Sequence, residues 1–369
     1  MKLMKTTEAV GQVLCHDITQ IIPGVKKDAV FRKGHIITKE DIPVLLSVGK
    51  DTIYIWENDE TMMHENEAAE VLYRMSACGT NSNETDGERH CEAAESGAFG
   101  GTASKMHPSP VKEGKIEVIA DCDGLLKVDS EKLKKVNSFG EMMIATRHGN
   151  TTVKKGDKLA GTRIIPLVIK KDKLEVASHI CDDGPILDIK PFVVRKAAII
   201  TTGNEVYHGR IQDAFTPVIE KKIAEFGAQM MFHEVFDDDD QKITDGCLRA
   251  IEAGAEIVFC TGGMSVDPDD KTPLAIKNTG ARIVSYGSPV LPGAMFLLSY
   301  YDAGDGLVPI CGLPGCAMYN KRTIFDIVLP RLMACDMILA DELAGLGEGG
   351  LCLNCDVCTF PNCGFGKGF

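Results

Sequence analysis

Ala198-Ile199-Ile200-Thr201-Thr202-Gly203 and Ile257-Val258-Phe259-Cys260-Thr261-Gly262-Gly263-Met264-Ser265 decide how this chain folds. Each is an apolar, β-branched run that stops at glycine. A run without polar alternation predicts a strand covered on both faces, the habit of parallel sheets. Ligands of open α/β sheets sit just beyond the carboxyl ends of such strands. Glycine there lets the backbone approach a ligand closely, and bare N–H groups opening the next helix favour an anion. Asn204-Glu205 follows the first turn, and Asp267, Asp269 and Asp270 follow the second. Carboxylates beside a phosphate predict a divalent cation, Mg2+, between them.

The flanking sequence continues the alternation of strand and helix. Ala214 to Phe226 places Phe215, Val218, Ile219, Ile223 and Phe226 on one face, and Gly227 stops the helix. A strand over Met230–Val235 leads to Asp237-Asp238-Asp239-Asp240 and a helix to Ala253. The second apolar strand follows, then a helix from about Thr272. Strands near Phe296-Leu297-Leu298 and Val308-Pro309-Ile310 end at Leu313-Pro314-Gly315, which opens a helix to about Met333. The fold class predicted is α/β, with a doubly wound C-terminal domain preceded by a smaller α+β and β-rich N-terminal region.

The expected divisions are a small α+β unit over 1–77, a disordered low-complexity insertion over 78–108, and a β-rich domain over 109–184. A linker over 185–195, the α/β domain over 196–335 and a Cys-rich tail over 336–369 complete the chain. The insertion is Gly, Ser, Thr, Asn, Glu and Ala with almost no large apolar side chain, too little to offset the entropy of ordering it.

With 369 residues and 44% hydrophobic composition the chain can build more than one core. A formal net charge of −13 argues against binding a nucleic-acid backbone, which needs a basic face to displace counterions. The sequence carries neither a signal core nor an apolar run of membrane-spanning length, so the expected location is cytoplasmic, with no membrane partner. Fourteen cysteines in a reducing compartment are not read as a disulfide framework, and Cys260, Cys311 and Cys316 read as small core residues.

Several residues could carry chemistry. Thr202-Gly203-Asn204-Glu205 reads as a phosphate-binding turn with Glu205 at the ligand, or as a plain strand-to-helix turn. In Asp237–Asp240 one or two acids could hold Mg2+, while the others suit a helix start. Thr261-Gly262-Gly263-Met264-Ser265 with Asp270-Lys271-Thr272 joins a glycine pair to an acid and a hydroxyl, although Asp270 also suits a plain cap. Pro292-Gly293 and Pro314-Gly315 could wall the same crevice. His64-Glu65-Asn66-Glu67 reads as the polar opening of a helix rather than a ligand set. Cys352, Cys355, Cys358 and Cys363 fall within twelve residues and could surround one metal centre, either zinc or an iron–sulfur cluster.

The third region resembles the molybdenum-cofactor biosynthesis domain shared by molybdopterin adenylyltransferase and molybdopterin molybdenumtransferase. The likeness rests on Thr202-Gly203-Asn204-Glu205, the acids from Asp237 to Asp240, Thr261-Gly262-Gly263-Met264-Ser265-Val266 with Asp270, and Leu313-Pro314-Gly315. It covers roughly residues 195–333. Weaker similarity to the transferase's other domains lies in Gly11-Gln12-Val13-Leu14 and in Gly34 through Gly49. Where the family has a K-P-G-K-P turn this chain reads Leu291-Pro292-Gly293-Ala294-Met295, and Cys316-Ala317 replaces N-P after Leu313-Pro314-Gly315.

The resemblance implies binding of molybdopterin or its adenylylated form, with Mg2+, at the carboxyl edge of the sheet. Thr202, Gly203, Asn204, Thr261, Gly262, Gly263, Met264, Ser265, Thr272, Pro292, Gly293, Pro314 and Gly315 would line the ligand. Glu205, Asp238 or Asp239, and Asp270 would position Mg2+ and molybdate as AMP leaves. A molybdoenzyme that receives the cofactor and a homodimer are the implied protein partners. A carrier or sensor without turnover, suggested by the missing lysines, and a nucleotide pyrophosphatase-like hydrolase are the alternative functions.

Overall fold

The computed structural model describes residues 2–22, 26–55, 59–78, 105–265, 267 and 270–368. The expected disordered insertion falls largely outside these residues, as do Trp56, Val266 and Asp269.

Both apolar runs become strands of one sheet. Its strands are Lys196–Thr202 (β1), Gln229–Phe236 (β2), Ile257–Thr261 (β3), Arg282–Tyr286 (β4), Leu297–Asp302 (β5) and Leu307–Leu313 (β6). They lie in the order β2-β1-β3-β6-β5-β4. The first four of that order are parallel, and β5 runs antiparallel to both its neighbours. The helices are Asn204–Tyr207 (α1), Phe215–Ala224 (α2), Asp240–Glu252 (α3), Thr272–Asn278 (α4), Ile324–Met333 (α5) and Ala340–Gly345 (α6).

The absence of polar alternation in β1 and β3 has a direct cause, because successive side chains enter two different cores. Ile199, Ile257 and Phe259 pack with Ile219 and Ile223 of α2 and with Phe325, Val328 and Leu329 of α5. Ala198, Ile200, Val258 and Cys260 pack with Ile243, Cys247 and Ala250 of α3 and with Ala275 and Ile276 of α4. The sheet is therefore covered by helices on both faces, a doubly wound α/β arrangement. Phe259 and Phe325 meet edge to face with ring centroids 5.3 Å apart. Phe365 is buried in the same layer as Phe325, and Phe360, Cys352 and Cys363 pack against it. The region after 335 thus shares the domain's core.

The chain divides into two compact units. The first comprises residues 1–121, 128–147 and 155–188, the second residues 122–127, 148–154 and 189–369. In the first, Met106–Pro108, Lys115–Ala120, Lys158–Ile164 and Met142–Thr146 lie side by side in that order. The helix Glu65–Ala77 buries Ala68, Ala69, Leu72 and Met75. His64 caps that helix by accepting from Asn66 N at 3.2 Å, and it is buried rather than exposed as its polar surroundings suggest. The helices Ser130–Asn137 and Lys171–Ser178 were not legible, being short and rich in lysine.

In the second unit, Asp336 is buried and meets three cations: Arg331 Nε at 2.6 Å, Lys190 Nζ at 2.6 Å and Lys127 Nζ at 2.8 Å. Burial pushes its carboxyl up, but the three cations outweigh that and bring it down to about 2. A folded-state value below the unfolded one, about 3.9, adds stability above that unfolded value and loses it as pH falls through the folded one. Asp336→Ala removes the carboxylate that the three cations share and is expected to cost about 3–5 kcal/mol at pH 7 in denaturant unfolding. The gap between the native and variant proteins should narrow as pH falls from about 4 to about 2.

Candidate functional site

The register brings the motif loops to one edge of the sheet. Thr201 pairs with Thr261, Thr261 with Leu313, and Thr202 with Phe236. The carboxyl ends of β1, β2, β3 and β6 are therefore level. Tyr286 pairs with Leu297, and Leu297 with Gly312, so the loop from β4 to β5 that carries Pro292-Gly293 opens at the same edge. The chain leaves β1 for β2 on one side and returns for β3 on the other. The switch point, where open α/β sheets bind ligands, is thus the gap between Thr202-Gly203 and Thr261-Gly262.

The two turns are locked together. The Thr202 hydroxyl donates to Thr261 O at 3.1 Å, and the Thr272 hydroxyl donates to Gly262 O at 2.9 Å. The two hydroxyl oxygens lie 3.1 Å apart. Gly262 has φ +82°, and a Cβ there would stand 2.1 Å from Thr202 O. Close approach of one turn to the other, rather than of a ligand, is what demands glycine at 262. Thr202, Thr261 and Thr272 are buried, and the Thr202 and Thr272 hydroxyls hold the turns. Thr261 Oγ1 is buried without a hydrogen-bond partner among the described residues. Met264 is 4% exposed and its sulfur packs over Gly312, which places it in the core rather than against a ligand.

The acids separate into roles. Asp239 caps α3 by accepting from Gln241 N at 3.0 Å and Lys242 N at 3.2 Å, and Asp237 accepts from Lys242 Nζ at 2.7 Å. Asp238 turns the other way and accepts from Asn204 N at 3.2 Å. The Glu205 carboxylate folds back over Gly203, 3.1 Å from where a Cβ would stand. Two carboxylates, those of Glu205 and Asp238, therefore border the first turn. Asp270 Oδ2 accepts from Asp267 N at 3.0 Å. Burial and the charge of Asp270 raise the pKa of Tyr286, whose hydroxyl donates to Met264 O at 3.0 Å. Among the described residues no three His, Cys, Asp or Glu side chains converge tightly enough to grip a metal ion.

On the far wall, Gly293 has φ +134° and a Cβ there would overlap Ile324 at 2.4 Å, so this turn presses on the start of α5. At Gly315 a Cβ would meet nothing within 4 Å, leaving open space over the turn. Sequence reasoning missed Asp213, which accepts from Thr201 and Thr216 hydroxyls at 2.9 and 2.6 Å and lies beside His233. Although burial opposes it, those hydrogen bonds hold its carboxyl below the usual range. The signal was Asp213 itself, a cap residue just before α2.

Cys352, Cys355, Cys358 and Cys363 line one cavity of about 240 Å³ together with Lys321, Arg322, Phe360 and Phe365. Cys260 and Cys311 are buried as expected, while Cys316 is only partly so; Cys247 is buried as well.

The family described as a probable molybdopterin binding domain matches residues 198–334. A domain of unknown function, DUF8806, matches residues 3–57. A protein of Bacillus velezensis named for competence-damage induction is 29% identical over 90 residues, 24% of this chain and 21% of its own length. A molybdopterin molybdenumtransferase of Nostoc is 23% identical over 197 residues, 52% of this chain and 42% of that protein. The chain thus spans less than half the length of these relatives. The tungsten cofactor synthesizing protein MoaB from Pyrococcus furiosus aligns with 38% of this chain and 88% of its own, with 17% identity and a TM-score of 0.30.

Two glycines at this edge should respond oppositely to substitution. Gly262→Ala, blocked by Thr202 O and by its own φ, should destabilise the unit by about 3 kcal/mol. Gly315→Ala should leave unfolding within about 0.5 kcal/mol of the native protein, so that any loss of ligand affinity it causes, read by titration calorimetry, reports occupied space.

Proposed function

We propose, from the premise that residues 198–334 belong to the molybdopterin-binding domain family of molybdenum cofactor biosynthesis, that this chain binds adenylylated molybdopterin with Mg2+ and inserts molybdate as AMP departs. The observation that carries the reading is the pairing of Glu205 and Asp238 at the β1 turn, level with the β3 turn and Asp270 along one sheet edge. Backbone groups of Gly203, Gly262 and Gly263 would contact the phosphate, since the nearby hydroxyls are committed to the turns. Glu205 and Asp238 would hold the cation against that phosphate, with Asp270 positioned from the neighbouring turn. A cation held there offsets the charge that grows on the departing phosphate. Asp239 is spent on the α3 cap and is left out of this role.

A second reading is favoured by one observation. Leu291 and Ala294 stand where the resembled family carries lysines, so anion-binding charge is missing from the far wall. A carrier that holds the pterin without turnover fits that wall.

The two readings diverge in one assay. Incubated with adenylylated molybdopterin, molybdate and Mg2+, a transferase releases AMP, whereas a carrier retains the ligand intact. Under the transferase reading, Glu205→Gln and Asp270→Ala should each lower AMP release by about 10²-fold or more with unfolding midpoints unchanged. Full activity in both variants would remove these residues from the chemistry.

A further inference from the structure

The cavity ringed by Cys352, Cys355, Cys358 and Cys363 has no part in that reading. The loop that forms it is closed at its neck. Gly366 N donates to Gly349 O at 3.0 Å, and a Cβ on Gly349 would stand 2.7 Å from Gly364 O. Its start is stitched to the far wall of the ligand edge: Leu291 N donates to Gly350 O and Cys352 N donates to Leu291 O, both at 2.8 Å. Between the first two cysteines Asn354 takes φ +50°, a left-handed turn that returns the chain toward the cavity. At the far end Phe365 is 5% exposed and anchors the loop in the domain core, and the rings of Phe360 and Phe365 lie 6.1 Å apart. The loop is a built frame, and its cysteines stand on a closed perimeter.

Size and charge select the occupant. A single zinc ion draws four thiolates to about 2.3 Å, which requires them to meet at a point. Here Cys352, Cys355, Cys358 and Cys363 border about 240 Å³ of space, and among the described residues no three His, Cys, Asp or Glu side chains are grouped closely enough to hold one ion. A polynuclear cluster spans such a gap, with each cysteine on a different iron. Such a centre carries net negative charge when ligated by four thiolates. Lys321 and Arg322 line the cavity, Arg322 lies against Cys358 and stacks at 5.1 Å over Phe360, and Lys321 donates to Asp356 O at 3.2 Å. Apolar Leu351, Phe360 and Phe365 complete the lining.

We propose that this cavity holds a cubane iron–sulfur cluster through Cys352, Cys355, Cys358 and Cys363, one turn from the ligand edge. Each thiol gives up its proton to solvent as its sulfur bonds iron, and Lys321 and Arg322 balance the resulting charge. The site is independent of what the sheet edge binds or catalyses.

The test uses the full chain, incubated without oxygen with equal amounts of ferrous and ferric iron and with sulfide, and then desalted. The expected result is about four iron and four acid-labile sulfide per chain, with a broad visible absorption that bleaches on reduction. Cys355→Ser and Cys358→Ser, both at exposed positions, should abolish it while the unfolding midpoint of the apo-protein is unchanged. Cys335→Ser, exposed but outside the cavity, should retain it. Iron and sulfide held equally by all three variants would overturn the assignment. So would one zinc per chain that persists through the same treatment, or no metal at all.

Discussion

The domain depends on one contact, the lock between the ends of β1 and β3. Two strands that diverge at a switch point leave a gap, and this chain bridges it with the Thr202 and Thr272 hydroxyls, which donate to Thr261 O and Gly262 O. Gly262 is squeezed against Thr202 O, so the turns are held at a spacing that a side chain would destroy. The Thr202 and Thr272 hydroxyls are thereby turned inward, onto the turns themselves. The Thr261 hydroxyl, buried at the same place and without a partner among the described residues, is a polar group kept at a cost of about 1–3 kcal/mol.

Charge at this edge follows a division that spacing cannot reveal. Four consecutive aspartates look equivalent in sequence. A helix start gives the third one two backbone N–H partners and leaves the second facing the neighbouring turn. Lys242, one turn into α3, neutralises Asp237 and lies 3.7 Å from Asp239, but the structure turns Asp238 toward Asn204.

The fold was legible where burial on both faces writes a continuous apolar run, as in Ala198–Thr202 and Ile257–Thr261. It was illegible in Arg282–Tyr286, where an edge strand mixes Arg, Ser and Tyr with two apolar residues and pairs with a single neighbour. Met264 was misread for a related reason. Its position after two glycines suggests a ligand, but the turn sends its side chain back over Gly312 into the core. Glycine positions were correctly marked as special, yet their cause differed from site to site: contact with another turn at Gly262, contact with α5 at Gly293, open space at Gly315. A sequence shows that a Cβ is absent; only coordinates show what takes its place.

The region after residue 335 looked foreign to the domain because its cysteines and glycines carry no periodicity. Among the contacts that couple it to the domain, two kinds leave no pattern in the sequence. One is a pair of backbone hydrogen bonds on Leu291, which any residue except proline could make at position 352. The other is a single aromatic side chain, Phe365, inserted among residues of α5 and the sheet. Burying one such ring contributes about 1.5–3 kcal/mol to holding the loop in place. The turn that in the resembled family carries lysines is, in this chain, the strip to which the loop is fastened. Leu291 uses both its N–H and its C=O for that purpose, so its turn and the cysteine loop order together.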